Sequence, residues 1–284
     1  MATFYNQATL SYNGNTTTSN ITTGELVEVL SATKTAVQTE YQQDDTLTYV
    51  VNILNSGNTT MTGVTISDNL GAYTLNTLTL VPMDYVVGTV RYYVGGVLQP
   101  TPTVTAGPPL TISGLSVPAK GNVTVIYQAK TNDYAPLAQE SSITNTATIN
   151  ANNIANPITA SATVNAYSKP VLRISKSLTP TTVSENGQLT YTFIIQNYGN
   201  TAADEADALI VSDRFDPILN PITVAFNGTA WTEGTEYTYD ATTGQFVSTA
   251  GIITVPAASY TQDAATGVIS IVPGSATLTI TGTV

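Results

Sequence analysis

Three residue types recur at matched places in the two halves of this chain, and together they can make an amide bond. Lys34 alternates in phase with Leu30, Ala32 and Ala36, and Lys176 with Leu172, Ile174 and Leu178. Asp68 shares a face with Val64, Ile66 and Leu70, and Asp213 with Leu209, Val211 and Phe215. Asn145 sits between Ile143 and Ala147, and Asn6 between Phe4 and Ala8. There are only five lysines, at 34, 120, 130, 169 and 176, so two on apolar faces at equivalent positions is an unusual use of them. A buried ammonium is costly unless paired or neutralised. Burial lowers a lysine pKa and raises that of an aspartic acid. A neutral amine beside a carboxamide can attack it, and a neutral acid can polarise the amide and move protons. Fixed geometry in a dry core supplies the effective concentration. The product is an isopeptide bond, and ammonia leaves. The expected bonds are Lys34 to Asn145 within one chain, assisted by Asp68, and Lys176 to Asn6 of a neighbouring subunit, assisted by Asp213. The same residues also suit a buried lysine–aspartate ion pair with the asparagine as a hydrogen-bond partner, which needs no covalent chemistry.

The elements that would hold these groups are strands. Leu47, Tyr49, Val51 and Ile53 alternate with Thr46, Thr48, Val50 and Asn52, and Val123, Val125 and Tyr127 show the same period of two. Ser56-Gly57-Asn58, Gly95-Gly96, Asn186-Gly187 and Asn227-Gly228 punctuate them as turns. No helical stretch is expected. Charged residues make up 10% of the 284, and Thr, Asn, Ser and Tyr take their place, a composition suited to half-buried strands. The fold class is all-β.

The chain also repeats itself. Residues 31–60 match 173–202 almost without gaps, 64–70 match 209–215, and 110–130 match 267–283 with one gap. A further segment, 143–166, has its partner at the front of the chain, at 4–27: Asn6 falls on Asn145, Ala8 on Ala147 and Thr9 on Thr148. This divides the chain into an N-terminal donor hairpin (1–29), a complete β-sandwich repeat (30–167) and a second repeat (168–284) without its terminal hairpin. The expected architecture is two tandem β-sandwich domains preceded by that hairpin. An unfinished sandwich exposes an apolar cleft and an unpaired edge. Strand addition from residues 1–27 of a neighbour would repair it. Self-closure would carry the hairpin across a body roughly 40 Å long, whereas Gly24–Leu30 spans at most about 25 Å. A head-to-tail contact that does not close gives a filament. The alternative is a simply shorter second copy, with residues 1–27 a flexible arm or an extra strand of the first.

Composition narrows the function classes. A net charge of −11 argues against nucleic acid and anionic membranes as partners. The absence of cysteine and histidine removes disulfides, Cys/His metal sites and Ser–His or Cys–His catalytic pairs. No cofactor, no metal and no enzymatic activity on an external substrate is expected. The first residues lack a secretory pattern and no apolar run reaches membrane-spanning length, so synthesis in a cytoplasm without a signal peptide is expected. Asp204-Glu205-Ala206-Asp207 reads as a solvated acidic loop. Trp231, Tyr237 and Tyr239, in an insertion peculiar to the second copy, read as cross-strand packing, a lateral contact or a sugar platform.

The segments "TKTAVQTEYQQDDTLTYVVNILNSGNTTMTGVTISDNL", "TNTATI" and "SKSLTPTTVSENGQLTYTFIIQNYGNT" with "VSDRF" resemble the repeat called Domain of Unknown Function 11. The resemblance rests on Lys–Thr/Ser, Leu-Thr-Tyr, Asn-x-Gly-Asn-Thr and Ser-Asp. It implies immunoglobulin-like repeats of Gram-positive surface proteins. A short two-repeat chain is most similar to clostridial spore-appendage subunits. That implies a fibre displayed on the spore surface, a homopolymer with an anchoring protein at its base. An adhesin recognising a glycan or a host protein is the alternative expectation.

Overall fold

Alternating strands pair antiparallel almost throughout, and two buried cores result. The computed structural model describes residues 2–26, 29–152, 154 and 156–284; Met1, Val27 and Glu28, within the expected hairpin and linker, lie outside them. Among the described residues the only helical element is one 3-10 turn, Glu205–Asp207. The protein is all-β, as its periodicity requires.

The first core lies between two six-stranded sheets. One runs Val97–Leu98, Arg91–Val94, Asn122–Thr131, Thr46–Asn55, Leu30–Ala36, with Met83–Tyr85 also on Asn122–Thr131. The other runs Thr103–Thr105, Leu110–Val117, Met61–Asp68, Ser142–Asn150, Ile158–Ala166, Glu40–Tyr41. The apolar member of each alternation, such as Tyr49, Val51, Ile66, Val125 and Ile149, faces inward and is buried. The strand Ile158–Ala166 packs across the gap on Leu30–Ala36 and closes that end of the sandwich.

The second core is built on a five-stranded sheet, Leu172–Thr179, Gln188–Asn197, Gly274–Thr283, Ile222–Phe226, Thr229–Trp231. Facing it is a sheet of only three strands, Ser212–Arg214, Gln245–Ser248, Tyr237–Asp240. Here the structure corrects the repeat alignment. Leu110–Val117 pairs with Met61–Asp68 in the first copy, but Gln245–Ser248 takes that place beside Ser212–Arg214. Ile269–Val272 instead forms a hairpin with Ser259–Gln262, and its Ile271 and Tyr260 pack against the first core. Hydrogen bonds from Gln262 Nε2 to the Tyr73 hydroxyl (2.6 Å) and from Asn200 Nδ2 to the Leu137 carbonyl (2.9 Å) tie the halves further.

The Asn-x-Gly-Asn-Thr motif has a structural reason in both copies. Asn55 is fully buried; its Nδ2 donates to the carbonyls of Thr59, Val117 and Pro118 and its Oδ1 accepts from Gly57 N. Asn197 repeats the pattern with Thr201 and Gly199. The side chain satisfies loop groups that the ladder leaves unpaired.

Ahead of both cores, Ala2–Asn6 pairs with Thr22–Leu26 and Thr9–Tyr12 with Asn15–Thr18. Among the described residues these strands join no other sheet. Phe4, Tyr5, Leu10, Tyr12 and Ile21 are all exposed.

Candidate functional site

Lys34, Asp68 and Asn145 converge in the first core. Lys34 and Asp68 have fully buried side chains, and Lys34 Nζ lies 2.5 Å from Asp68 Oδ2. The ammonium also sits 4.9 Å from the Tyr49 ring centroid and 5.8 Å from that of Tyr127. Asp68 Oδ1 accepts from Leu70 N at 3.0 Å. Burial lowers the Lys34 pKa to about 8, and attraction to Asp68 opposes the fall without cancelling it. The Tyr127 and Tyr49 hydroxyls are pushed upward by burial and then by the Asp68 charge, so both stay protonated.

Asn145 is fully buried beside this pair. Its Oδ1 accepts from Gly71 N at 3.2 Å, and its Nδ2 donates to the Tyr127 hydroxyl at 3.3 Å. A backbone N–H can only donate, so this contact fixes which way the amide points. Gly71 has a φ of 77°, and a Cβ there would lie 2.4 Å from Ile143 Cγ2, so glycine is what lets this N–H approach. Tyr127 in turn donates to Asp68 Oδ2 at 2.5 Å. Tyr127 was invisible as a functional residue in the sequence, where it reads as one more inward position of an alternating strand. The available signal was its hydroxyl, which a buried site must satisfy.

While Lys34 keeps its proton, that proton lies between the amine and the Asp68 carboxylate. The reactive form, neutral amine plus neutral acid, is a tautomer of the ion pair with the same proton count. Bond formation that uses both groups should therefore be insensitive to pH below about 8. Above that it should fall about tenfold per unit as the pair loses its proton. A lysine acting without the acid would show the reverse, a rise to a plateau. Intact-mass time courses of freshly folded chain between pH 6 and 10 separate the two.

In the second copy Lys176 and Asp213 form the equivalent ion pair, in a different setting. Their side chains are 39% and 19% exposed. Lys176 Nζ lies 4.2 Å from the Tyr191 ring centroid and 5.5 Å from those of Phe193 and Phe215. The sequence places Lys176 on an inward face; in the structure that face is open, and Ile174 on it is 57% exposed. The reason is what covers each copy. In the first, Ser142–Asn150 pairs with Met61–Asp68, and Ile158–Ala166 packs over Leu30–Ala36. In the second, Ser212–Arg214 is an edge strand, and nothing among the described residues lies in the corresponding place.

Asn6 sits on the N-terminal hairpin, on none of the sheets that hold Lys176 or Asp213. Its neighbours match the missing cover. Phe4, Asn6 and Leu10 are exposed, whereas their counterparts Ile143, Asn145 and Ile149 are buried.

The remaining candidates are absorbed by packing. Trp231 stacks on Phe226 (5.3 Å between centroids), Tyr237 is buried against Phe246 (5.4 Å), and the Tyr239 hydroxyl donates to the Leu219 carbonyl (2.7 Å). Asp204 and Asp207 cap the 3-10 turn reciprocally. Among the described residues no cluster of acidic side chains suits a metal ion.

No family model and no curated protein matches this chain. Solved structures do. The major pilin subunit of Bacillus cereus is 12% identical, with a TM-score of 0.38, over 96% of this chain and 73% of that one. The pilus backbone of Streptococcus pneumoniae is 15% identical, with a TM-score of 0.36, over 86% of this chain and 55% of that one. A family 123 glycoside hydrolase from Clostridium perfringens is 10% identical, with a TM-score of 0.31, over 49% of this chain; this chain spans 27% of that enzyme's length. All three TM-scores are low, and nothing about this chain's role follows from them.

Proposed function

We propose that this protein is a structural fibre subunit that polymerises head to tail. The N-terminal hairpin of one subunit enters the open side of the second copy of the next. One observation carries the reading: among the described residues the second copy leaves uncovered the site that the first copy covers with Ser142–Ala166, and residues 4–27 carry the matching sequence, with Phe4, Asn6 and Leu10 exposed. Strand addition would pair the edge of Ser212–Arg214 and bury Phe4, Leu10 and Ile174 together. Asn6 would arrive where Asn145 sits in the first copy, beside Lys176 and Asp213. Lys34–Asn145 and Lys176–Asn6 isopeptide bonds would lock the subunit and the polymer. The resemblance to Domain of Unknown Function 11 supports a Gram-positive setting, with a spore-surface appendage as the specific assembly and an anchoring protein at its base. The subunit needs no cofactor and turns over no external substrate.

A denaturing gel of boiled assembled material, with mass spectrometry of its peptides, tests the locked polymer. A ladder of multimers and a joined peptide containing Lys176 and Asn6, lighter by one ammonia, is expected. A single monomer band of full calculated mass would remove both bonds.

A further inference from the structure

The first copy contains a hydroxyl that the lysine–aspartate–asparagine scheme does not use. Tyr127 bridges the acid and the amide: its hydroxyl donates to Asp68 Oδ2 and accepts from Asn145 Nδ2. Resting on the reading that Lys34 joins Asn145, we propose that Tyr127 is the proton relay that carries a proton from Asp68 to the departing amide nitrogen.

Two facts require such a relay. The leaving nitrogen must gain a hydrogen to depart as ammonia, because an amide anion is far too basic to leave. Asn145 Nδ2 has its hydrogen bond to Tyr127, not to Asp68. The steps then balance. A proton moves from Lys34 Nζ to Asp68, leaving a neutral amine and a neutral acid. Nζ attacks Asn145 Cγ, and the charge that develops on Oδ1 faces the Gly71 N–H. Asp68 passes its proton to the Tyr127 oxygen as the Tyr127 hydroxyl proton passes to Nδ2. The Cγ–Nδ2 bond breaks and ammonia leaves. Nζ gives one hydrogen back to Asp68 and keeps one as the new amide N–H. Tyr127 ends as it began, a neutral phenol. Burial favours that neutral form throughout.

The second copy lacks this group. Tyr49 pairs with Tyr127 across the ladder, and its counterpart Tyr191 pairs with Ile280. Asp213 there accepts from Lys176 and from Arg214 N. The intersubunit site therefore has no tyrosine at the relay position.

The test follows ammonia loss from freshly folded full-length chain by intact mass, with peptide mapping of the Lys34–Asn145 pair. Tyr127→Phe keeps the ring and removes the relay. It should slow internal bond formation by about a hundredfold or more, while thermal unfolding and circular dichroism report a folded sandwich. Tyr92→Phe is the control: Tyr92 is also buried in this core, and its hydroxyl bonds to the Ser116 carbonyl, outside the cluster. It should leave the rate unchanged. Equal rates in Tyr127→Phe and wild type would overturn the relay alone. Equal slowing by Tyr127→Phe and Tyr92→Phe would also overturn it, since any lost buried hydroxyl would then do. A wild-type chain of full calculated mass would overturn both the relay and the bond it serves.

Discussion

Deleting residues 1–26 should abolish the proposed head-to-tail polymerisation and leave a folded monomer. Among the described residues neither core contains one before Val29, so the deletion removes no buried packing seen there. Only the donor end of each contact is affected. The shortened subunit has nothing to donate, and its own second copy keeps an open face with Ile174 exposed. Mixed with intact chain, it should act as a terminator: it can accept a hairpin but cannot pass one on. Mean fibre length should fall as the inverse of the fraction of shortened chain. Analytical ultracentrifugation and electron microscopy read both effects. Fibres of normal length from the deleted chain would mean that the hairpin is a dispensable arm.

Asp68→Ala and Asp213→Ala should differ sharply in cost although they remove the same partner. The comparison belongs in a chain carrying Asn145→Ala, where no internal bond can form and stability is read directly. Asp68→Ala leaves Lys34 in a fully buried site facing only aromatic rings. Stranding a buried charge typically costs roughly 3–5 kcal/mol. Asp213→Ala leaves Lys176 partly solvated, and loss of such an exposed pair costs about 1 kcal/mol or less. Urea unfolding of the two variants measures this. Equal effects would mean that the two sites are equally covered in the free subunit, contrary to the open face described above.

Much of this was legible because strands write their burial with a period of two. The alternation around Tyr49 and Val125 placed those side chains inward correctly, and the same phase put Lys34 and Asp68 into the core. Lys176 carries the same phase, yet its face is open. Periodicity reports which side of a strand faces a partner, not whether the partner is present in the same chain. Tyr127 escaped because a tyrosine in an alternating strand looks like any large apolar residue, and only the position of Asn145 across the core gives its hydroxyl a task. Residues 267–272 were misaligned for a related reason. Ile269 and Ile271 carry a strand pattern that fits a repeat of Leu110–Val117, but the surface they pack on belongs to the first core. Local pattern cannot distinguish those two destinations.

Hairpin donation would put one subunit's hairpin beside the edge strand of the next subunit's second copy, which can be read at a single pair of positions. In the first copy Thr148 pairs with Ser67; the matching positions are Thr9 of the donor and Ser212 of the acceptor, both exposed in the free subunit. Directly opposed antiparallel residues bring their Cβ atoms to about 4.5–5.5 Å, near disulfide range, and the chain has no cysteine of its own to interfere. Chains carrying Thr9→Cys and chains carrying Ser212→Cys, mixed and gently oxidised during assembly, should yield a disulfide joining the two variants. Assembly without that mixed disulfide would contradict hairpin donation.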